Sequence, residues 1–240
     1  MKLSAVNVNK NFIRSRGDSN IFCAVAESNL ELQEGTLTAL TGPSGSGKST
    51  FLNMLAGLLP PSSGKVLLDD IDLYQQNDKE LSMIRNRHIG MIPQGQTALQ
   101  ALTVLENVLV PYLLYRKNGK DRAQILQYAE ELMKKADIWD LKNEMPSELS
   151  GGELRRVAVC RALLLKPEII LADEPTGDLD EENTAIVMGM LKNCAENNAT
   201  VFVVTHDKQV WEYADKILEM KKGIISVSNC EQVNILQKID

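Results

Sequence analysis

Gly42-Pro-Ser-Gly-Ser-Gly-Lys-Ser-Thr50 stands between a run of strand formers, Thr36-Leu-Thr-Ala-Leu-Thr41, and a segment with apolar residues at helical spacing, Phe51-Leu-Asn-Met-Leu-Ala-Gly-Leu58. A Gly-rich turn between a strand and a helix converges peptide N–H groups on one small volume, and the new helix points its positive end there. In that setting the pattern G-x-x-x-x-G-K-[ST] predicts a phosphate site. Gly42, Gly45 and Gly47 supply backbone angles closed to other residues and let the main chain approach an anion, with Pro43, Ser44 and Ser46 between them. Lys48 adds a positive point charge, the Ser49 hydroxyl suits Mg2+, and Thr50 closes the motif. Four specified positions recur by chance in roughly one chain in a hundred of this length. The correct flanks on both sides make an accidental match the weaker reading.

Working outward, 240 residues suit one α/β domain with a small inserted lobe. A net charge of −6 argues against a nucleic-acid coat, which needs a basic face. Cys23, Cys160, Cys194 and Cys230 form no C-x-x-C pair, so they read as buried thiols of a reducing cytosol rather than as a disulfide framework or a zinc site. No uncharged apolar run approaches the roughly 18 residues that span a bilayer; the run at 157–165 contains Arg161. The N-terminus has no secretory apolar region. The expectation is a soluble cytoplasmic subunit whose membrane work belongs to a partner.

Along the chain, residues 3–13 alternate as a strand, and the polar turn Ser15-Arg-Gly-Asp-Ser-Asn20 leads to a second strand pair ending near Glu34-Gly35. The Arg16-Gly17-Asp18 triplet reads as a solvated hairpin tip, not as an adhesion motif. Phe12, just before that turn, is either a stacking platform for a planar base or an ordinary core aromatic. Leu59-Pro-Pro-Ser-Ser-Gly64 stops the Lys48 helix and turns the chain into a strand at 65–68. Residues 78–87 read as a helix, and His88-Ile-Gly-Met-Ile92 as a strand that gives way to a loop at Gln94. Amphipathic helices at 103–115 and 120–137, broken at Asn118-Gly119, make an inserted helical lobe. Leu149-Ser-Gly-Gly-Glu153 opens the next helix and forms a second anion-seeking terminus, which Pro167 ends at its far side. Glu168-Ile-Ile-Leu-Ala172 and residues 200–205 are apolar enough for parallel strands buried on both faces, with a helix at 181–197 between them. Strand and helix alternate, which implies a mostly parallel sheet with the site at the strand ends.

Asp173-Glu174 places two carboxylates at one of those ends, where successive side chains diverge. One then serves a metal and the other the attacking water; a helix-capping pair is the plain alternative. His206, alone, would be a satisfied core histidine, but it follows the neighbouring strand, within reach of the same phosphate.

Taken together, the 42–50 loop, Gln94, Leu149-Ser-Gly-Gly-Glu153, Ile169-Ile-Leu-Ala-Asp-Glu174, Gly177-Asp-Leu-Asp180 and His206 resemble the nucleotide-binding subunit of an ABC transporter across roughly residues 3–225. The L-S-G-G-E signature makes the resemblance specific. Ala172-Asp-Glu-Pro-Thr-Gly-Asp-Leu-Asp180, Pro146-Ser-Glu-Leu-Ser150 and Leu102-Thr-Val-Leu-Glu-Asn107 are similar to the LolD/MacB/FtsE branch and related antimicrobial-peptide exporters. The resemblance implies a P-loop NTPase core with a mostly parallel sheet, an antiparallel β subdomain and a helical lobe at approximately 95–165, in one domain over 1–240 with an extension at 228–240. It further implies ATP and Mg2+ as cofactors, a head-to-tail homodimer, and an integral membrane permease on the cytoplasmic side of which the subunit sits.

Under that resemblance Ser49, Gln94 and Asp173 hold Mg2+, Glu174, His206 and Gln94 serve hydrolysis, and Phe12 stacks on adenine where the family more often has Tyr. Ser150, Gly151, Gly152 and Glu153 close over the nucleotide of the second copy, and Asp180 lies in the segment crossing the dimer interface. The signature continues Leu154-Arg-Arg156 where Gln-rich versions are usual, so that Arg155 departs and only Arg156 matches well, and Met91-Ile-Pro-Gln94 and Gly95-Gln-Thr-Ala-Leu-Gln100 differ from the aromatic-flanked form. A regulatory or mechanical ABC ATPase of a cell-division complex, which transports nothing, stays open as the alternative.

Overall fold

The computed structural model describes residues 1–13, 21–95, 97–114, 122–177 and 179–227. The Arg16-Gly17-Asp18 tip, the Asn118-Gly119 break, Asp178, Cys230 and the 228–240 extension lie outside the described residues. In chain order the elements are β1 (Leu3–Ile13), β2 (Ile21–Leu32), β3 (Leu37–Thr41), α1 (Lys48–Leu55), β4 (Ser63–Leu68), β5 (Ile71–Asp72), α2 (Asp78–His88) and β6 (Ile89–Ile92). They continue with α3 (Val104–Leu114), α4 (Arg122–Lys135), α5 (Gly151–Leu163), β7 (Ile169–Asp173), α6 (Glu181–Glu196), β8 (Thr200–Val204), β9 (Lys216–Lys221) and β10 (Ile224–Val227).

Two sheets carry the fold. The smaller is antiparallel, in the order β2-β1-β4-β5. The larger runs β10-β9-β3-β8-β7-β6, parallel throughout except where β10 folds back on β9. The two strands read as buried on both faces are buried at every position. Their period of two divides them between two cores: Ile169, Leu171, Phe202 and Val204 join the core shared with the antiparallel sheet. Ile170, Ala172, Val201 and Val203 join the core shared with α3–α6. Helix α1 contributes Phe51, Leu52, Met54 and Leu55 to the first core, all within 1 % of full burial. The Phe51 ring meets Phe202 edge-on, with centroids 6.4 Å apart. The helix that follows the phosphate loop is therefore clamped between the sheets, and the loop at its start inherits that rigidity.

Several sequence expectations are altered. The stretch read as a second strand pair is one 12-residue strand, β2, because its pairing with β1 continues through bulges instead of turning. Helix α5 ends at Leu163, ahead of Pro167, where Lys166 takes a left-handed φ of 53°. Cys160 is buried, and burial pushes its thiol up to about 12. Cys23 is exposed, contrary to expectation, because it lies on the outward side of β2. Strands β9 and β10 were not foreseen.

The N-terminal end of β3 is pinned by one carboxylate. Asp215 Oδ2 accepts from Leu37 N–H at 2.8 Å, and Oδ1 accepts from Lys192 on α6 at 2.5 Å. Burial raises its pKa, but the Leu37 N–H and the Lys192 ammonium outweigh that and hold it below the ordinary carboxylate value. A depressed folded pKa contributes stability above the unfolded value, about 4, and loses it as pH falls through the lower folded value. Asp215→Asn is therefore expected to lower unfolding free energy by about 1 kcal/mol at neutral pH. The difference from the parent closes in acid; denaturant titrations at several pH values check both.

Candidate functional site

Strand register brings the chemistry together. Ile92 of β6 lies opposite Ala172 of β7, Asp173 opposite Val204 of β8, and Val204 opposite Leu40 of β3. The loops that leave these strands carry Gln94, Asp173-Glu174, His206 and the 42–50 loop, so four separate segments open on one carboxyl edge. They line a cavity of about 530 Å³ with Gly42, Pro43, Ser44, Gly45, Gly47, Lys48, Ser49, Thr50, Gln94, Glu174, His206, Phe22 and Ala24.

The phosphate loop is shaped by space as well as by angle. Gly42 and Gly47 have φ of 148° and 106°, and a Cβ on either would come within 2.2 Å of Met220 O or 2.1 Å of Ala24 O. Those contacts press the loop against β9 and β2. Gly45, at φ 75°, has open space where a Cβ would sit, so it is the left-handed angle and not crowding that calls for glycine there. Ser46 is 4 % exposed and its hydroxyl has no hydrogen-bond partner among the described residues. Ser46 is absent from the cavity lining, so the fit to an anionic ligand rests on the residues that do face it, the start of α1 and the Lys48 ammonium. Lys48 Nζ meanwhile donates to Gly42 O at 2.8 Å and Pro43 O at 3.1 Å, so its charge already lies inside the turn.

Sequence reasoning missed the support beneath the loop. Gly223, in the turn between β9 and β10, donates its N–H to Ser46 O at 2.9 Å, and its carbonyl accepts from Ala26 N–H at 2.9 Å. A Cβ there would lie 2.9 Å from Ala26 N. The alternation of Lys216-Ile-Leu-Glu-Met-Lys221 before Lys222-Gly223 was the available signal.

The Ser49 hydroxyl donates to Asp173 Oδ1 at 3.1 Å. A hydroxyl and a carboxylate so placed are a hard oxygen pair of the kind Mg2+ takes beside phosphate oxygens. Burial raises the Asp173 pKa, the Ser49 bond opposes this, and the neighbouring Glu174 charge adds to the rise. A bound cation would favour the ionised form. Glu174 diverges as its sequence position implied: its N–H is held by Val204 O at 2.8 Å, and its backbone takes a left-handed φ of 49°. That angle is strained for a non-glycine residue and turns the carboxylate toward β8. Glu174 Oε1 lies 2.8 Å from His206 Nδ1, and His206 N–H approaches Oε2 at 3.4 Å. This pairing engages Nδ1 and leaves Nε2 as the ring nitrogen for a further partner.

Gln94 lies in a loop held from α5. Arg155 donates to Pro93 O at 2.9 Å, and Arg161 donates to Thr97 O at 2.9 Å and Thr97 Oγ1 at 2.5 Å. The arginine that departs from the Gln-rich pattern thus fastens the base of the Gln94 loop.

At the start of α5, Ser150 is the N-cap and is exposed, and no residue of the 150–153 turn lines the cavity. The Glu153 carboxylate turns back on Ser150, not outward. Asp180 caps α6 by accepting from Asn183 N–H at 2.8 Å. Asn183 also donates its amide to Asp180 and accepts from Arg156 of α5, which ties this cap to the helix that begins at Ser150.

Phe12 is 38 % exposed, with the Lys10 ammonium 5.3 Å from its ring centre, which excludes the core-aromatic reading. Its ladder partner across β1 and β2 is Phe22, and Phe22 is the aromatic that lines the cavity. The sequence reading passed over Phe22.

Comparison with known proteins bears on this site. Residues 25–177 match the family model described as ABC transporter. The chain is 42% identical over 203 residues to the lipoprotein-releasing system ATP-binding protein LolD of Shewanella denitrificans, covering 84% of this chain and 86% of that protein. It is 38% identical to the protein of the same name from Leptospira interrogans, over 96% of this chain and 94% of the other. Among solved structures, the dimeric structure of a bacterial ABC transporter cassette superposes with a TM-score of 0.86 at 36% identity, covering 94% of this chain and 98% of that one. A dimer of the same cassette in a post-hydrolysis state bound to ADP and Pi superposes equally well.

Proposed function

Since the chain belongs to the ABC transporter family, we propose that it is the ATP-hydrolysing subunit of a membrane complex, closing as a head-to-tail pair of copies on two ATP molecules and parting after cleavage. One observation carries the reading. The cavity gathers the phosphate loop, with Ser49 bonded to Asp173 behind it, and the Glu174–His206 pair, while the exposed Ser150 cap lies outside it. A site so built wants donors on its open side, and a second copy supplies them.

MgATP brings the scissile phosphoanhydride and a counter-charge to the phosphates. Lys48 and the N–H groups of the 42–50 loop hold the phosphate chain, and Ser49, Asp173 and Gln94 hold the metal. Glu174 orients water and accepts its proton, with His206 fixing the carboxylate in place. Ser150, Gly151 and Gly152 close over the γ-phosphate of the other copy, and Asp180 crosses the interface beside them. Phe22, with Phe12 beside it on the neighbouring strand, offers the base a stacking face.

The helical lobe at approximately 95–165 receives a permease on the cytoplasmic face of the membrane; Leu99, Leu113 and Leu114 offer it exposed apolar contact. No helix among the described residues is long and apolar enough to cross a membrane, so passage through the bilayer falls to that permease. The names of the relatives favour a lipoprotein-releasing task over a cell-division one.

Ser150→Arg tests the shared site. It places a bulky cation at an exposed cap, so the monomer is expected to keep its fold and bind ATP, while ATP-driven dimerisation falls at least about ten-fold. Light scattering with and without ATP reads this; normal dimerisation in the variant would overturn the head-to-tail arrangement.

A further inference from the structure

In the free chain, one neighbour engages both polar groups with which Ser150 could grip a phosphate. Ser150 N–H donates to Glu153 Oε2 at 2.7 Å, and the Ser150 hydroxyl donates to the same oxygen at 2.8 Å. Glu153 N–H returns a bond to Ser150 Oγ at 3.3 Å. This is a capping box, which Glu and Gln both complete. Glu adds a full negative charge at the positive end of α5, where it stabilises the helix.

On the reading above, the γ-phosphate of the other copy approaches this same helix end and takes its bond from this same hydroxyl. A hydroxyl has one hydrogen to give, so phosphate and Glu153 compete for it. They also repel one another as like charges. We propose that Glu153 is a positioning residue that latches Ser150 inward in the free subunit and thereby sets the ATP concentration at which two copies close. The Ser150 N–H and hydroxyl bonds hold the Glu153 carboxyl below the usual carboxylate range, so the latch stays charged at neutral pH. The latch keeps the turn ordered for its task and makes closure conditional on a ligand with enough charge and enough acceptors to displace a carboxylate.

This inference rests on the shared-site reading, and the test separates the two. Dimer formation is followed by light scattering during ATP titration, in a Glu174→Gln background so that ATP persists. Glu153→Gln keeps an acceptor for the Ser150 N–H and removes the charge, so it is expected to dimerise at about five-fold lower ATP than its parent. That advantage shrinks at high salt, as a charge effect does and a packing effect does not. Glu153→Ala loses the box, frays the turn, and is expected to gain less than the Gln variant. Equal or higher ATP demand in Glu153→Gln, a salt-independent gain, or an equal gain in Glu153→Ala would each overturn the latch. Ser150→Arg in the same background reports on the reading beneath it: if that variant dimerises normally, the shared site itself is wrong. If it fails to dimerise while Glu153→Gln does not move, only the latch is wrong.

Discussion

Glu174→Gln is expected to bind ATP as the parent does and to cut steady-state hydrolysis by about a hundred-fold or more, the range a positioned general base contributes. The geometry makes the substitution a narrow probe. The Glu174 backbone is fixed by the 2.8 Å bond from its N–H to Val204 O and by register at the end of β7, not by its side chain. Gln has the same shape and keeps one acceptor for His206 Nδ1, now 2.8 Å from Oε1, so the fold and the phosphate loop have no cause to shift. Only the capacity to take a proton from water is lost. Binding and cleavage should therefore separate, and closed dimers should accumulate in ATP because the step that parts them is slowed. Nucleotide binding by equilibrium titration, turnover by phosphate release and size by light scattering measure the three effects. Turnover at the parental rate would remove Glu174 from its assigned role; lost binding would mean that its charge supports the nucleotide site in some other way.

The same residue shows what sequence conveys and what it withholds. Adjacent carboxylates at a strand end imply divergent side chains because the strand period is two, and Asp173 and Glu174 do diverge, one to Ser49 and the other to His206. The parallel order of the large sheet was legible for a related reason: apolar runs such as Ile169–Asp173 satisfy a strand only when both faces are covered. The left-handed angle of Glu174 was not legible, since nothing in the pair Asp-Glu distinguishes a strained backbone from a relaxed one.

Contacts between segments distant in sequence were likewise hidden. Gly223 supports Ser46 from a distant part of the chain, and only its place after an alternating stretch hints at a turn. Arg155 departs visibly from a sequence pattern, but its partner, the Pro93 carbonyl, is a backbone atom and leaves no mark on the sequence. Phe22 was hidden because its reach into the cavity depends on the register of β1 against β2, which bulges shift between Ala5 and Asn11. Local chemistry was readable; the spatial neighbours that tune it were set by topology.

Lys48→Ala is expected to weaken ATP binding by about two orders of magnitude or more, the scale of removing one member of a desolvated charge pair. Lys48 is 8 % exposed, on a helix whose next residues are sealed between the two sheets, so the ammonium cannot be replaced by a neighbour moving in. It rests on Gly42 O and Pro43 O, two carbonyls of the loop it serves, and must exchange those acceptors for phosphate oxygens. A carbonyl is a neutral acceptor and a phosphate a charged one, so the exchange favours the nucleotide. It also means that alanine removes a brace from the loop as well as a charge from the site. The two effects are separable. Loss of the brace is expected to lower the melting temperature by about 4–8 °C without nucleotide, as deletion of two hydrogen bonds worth about 1 kcal/mol each would. Loss of the charge shrinks the further rise in melting temperature that ATP gives the parent, since a ligand stabilises in proportion to the logarithm of its concentration over its Kd for the folded state. Lys48→Arg completes the test: it restores charge, but its larger planar head cannot sit between the two carbonyls as an ammonium does, so partial recovery of binding with poor turnover is expected. Parental turnover in Lys48→Ala would remove this lysine from the site and, with it, the assignment of the 42–50 loop as the seat of the triphosphate.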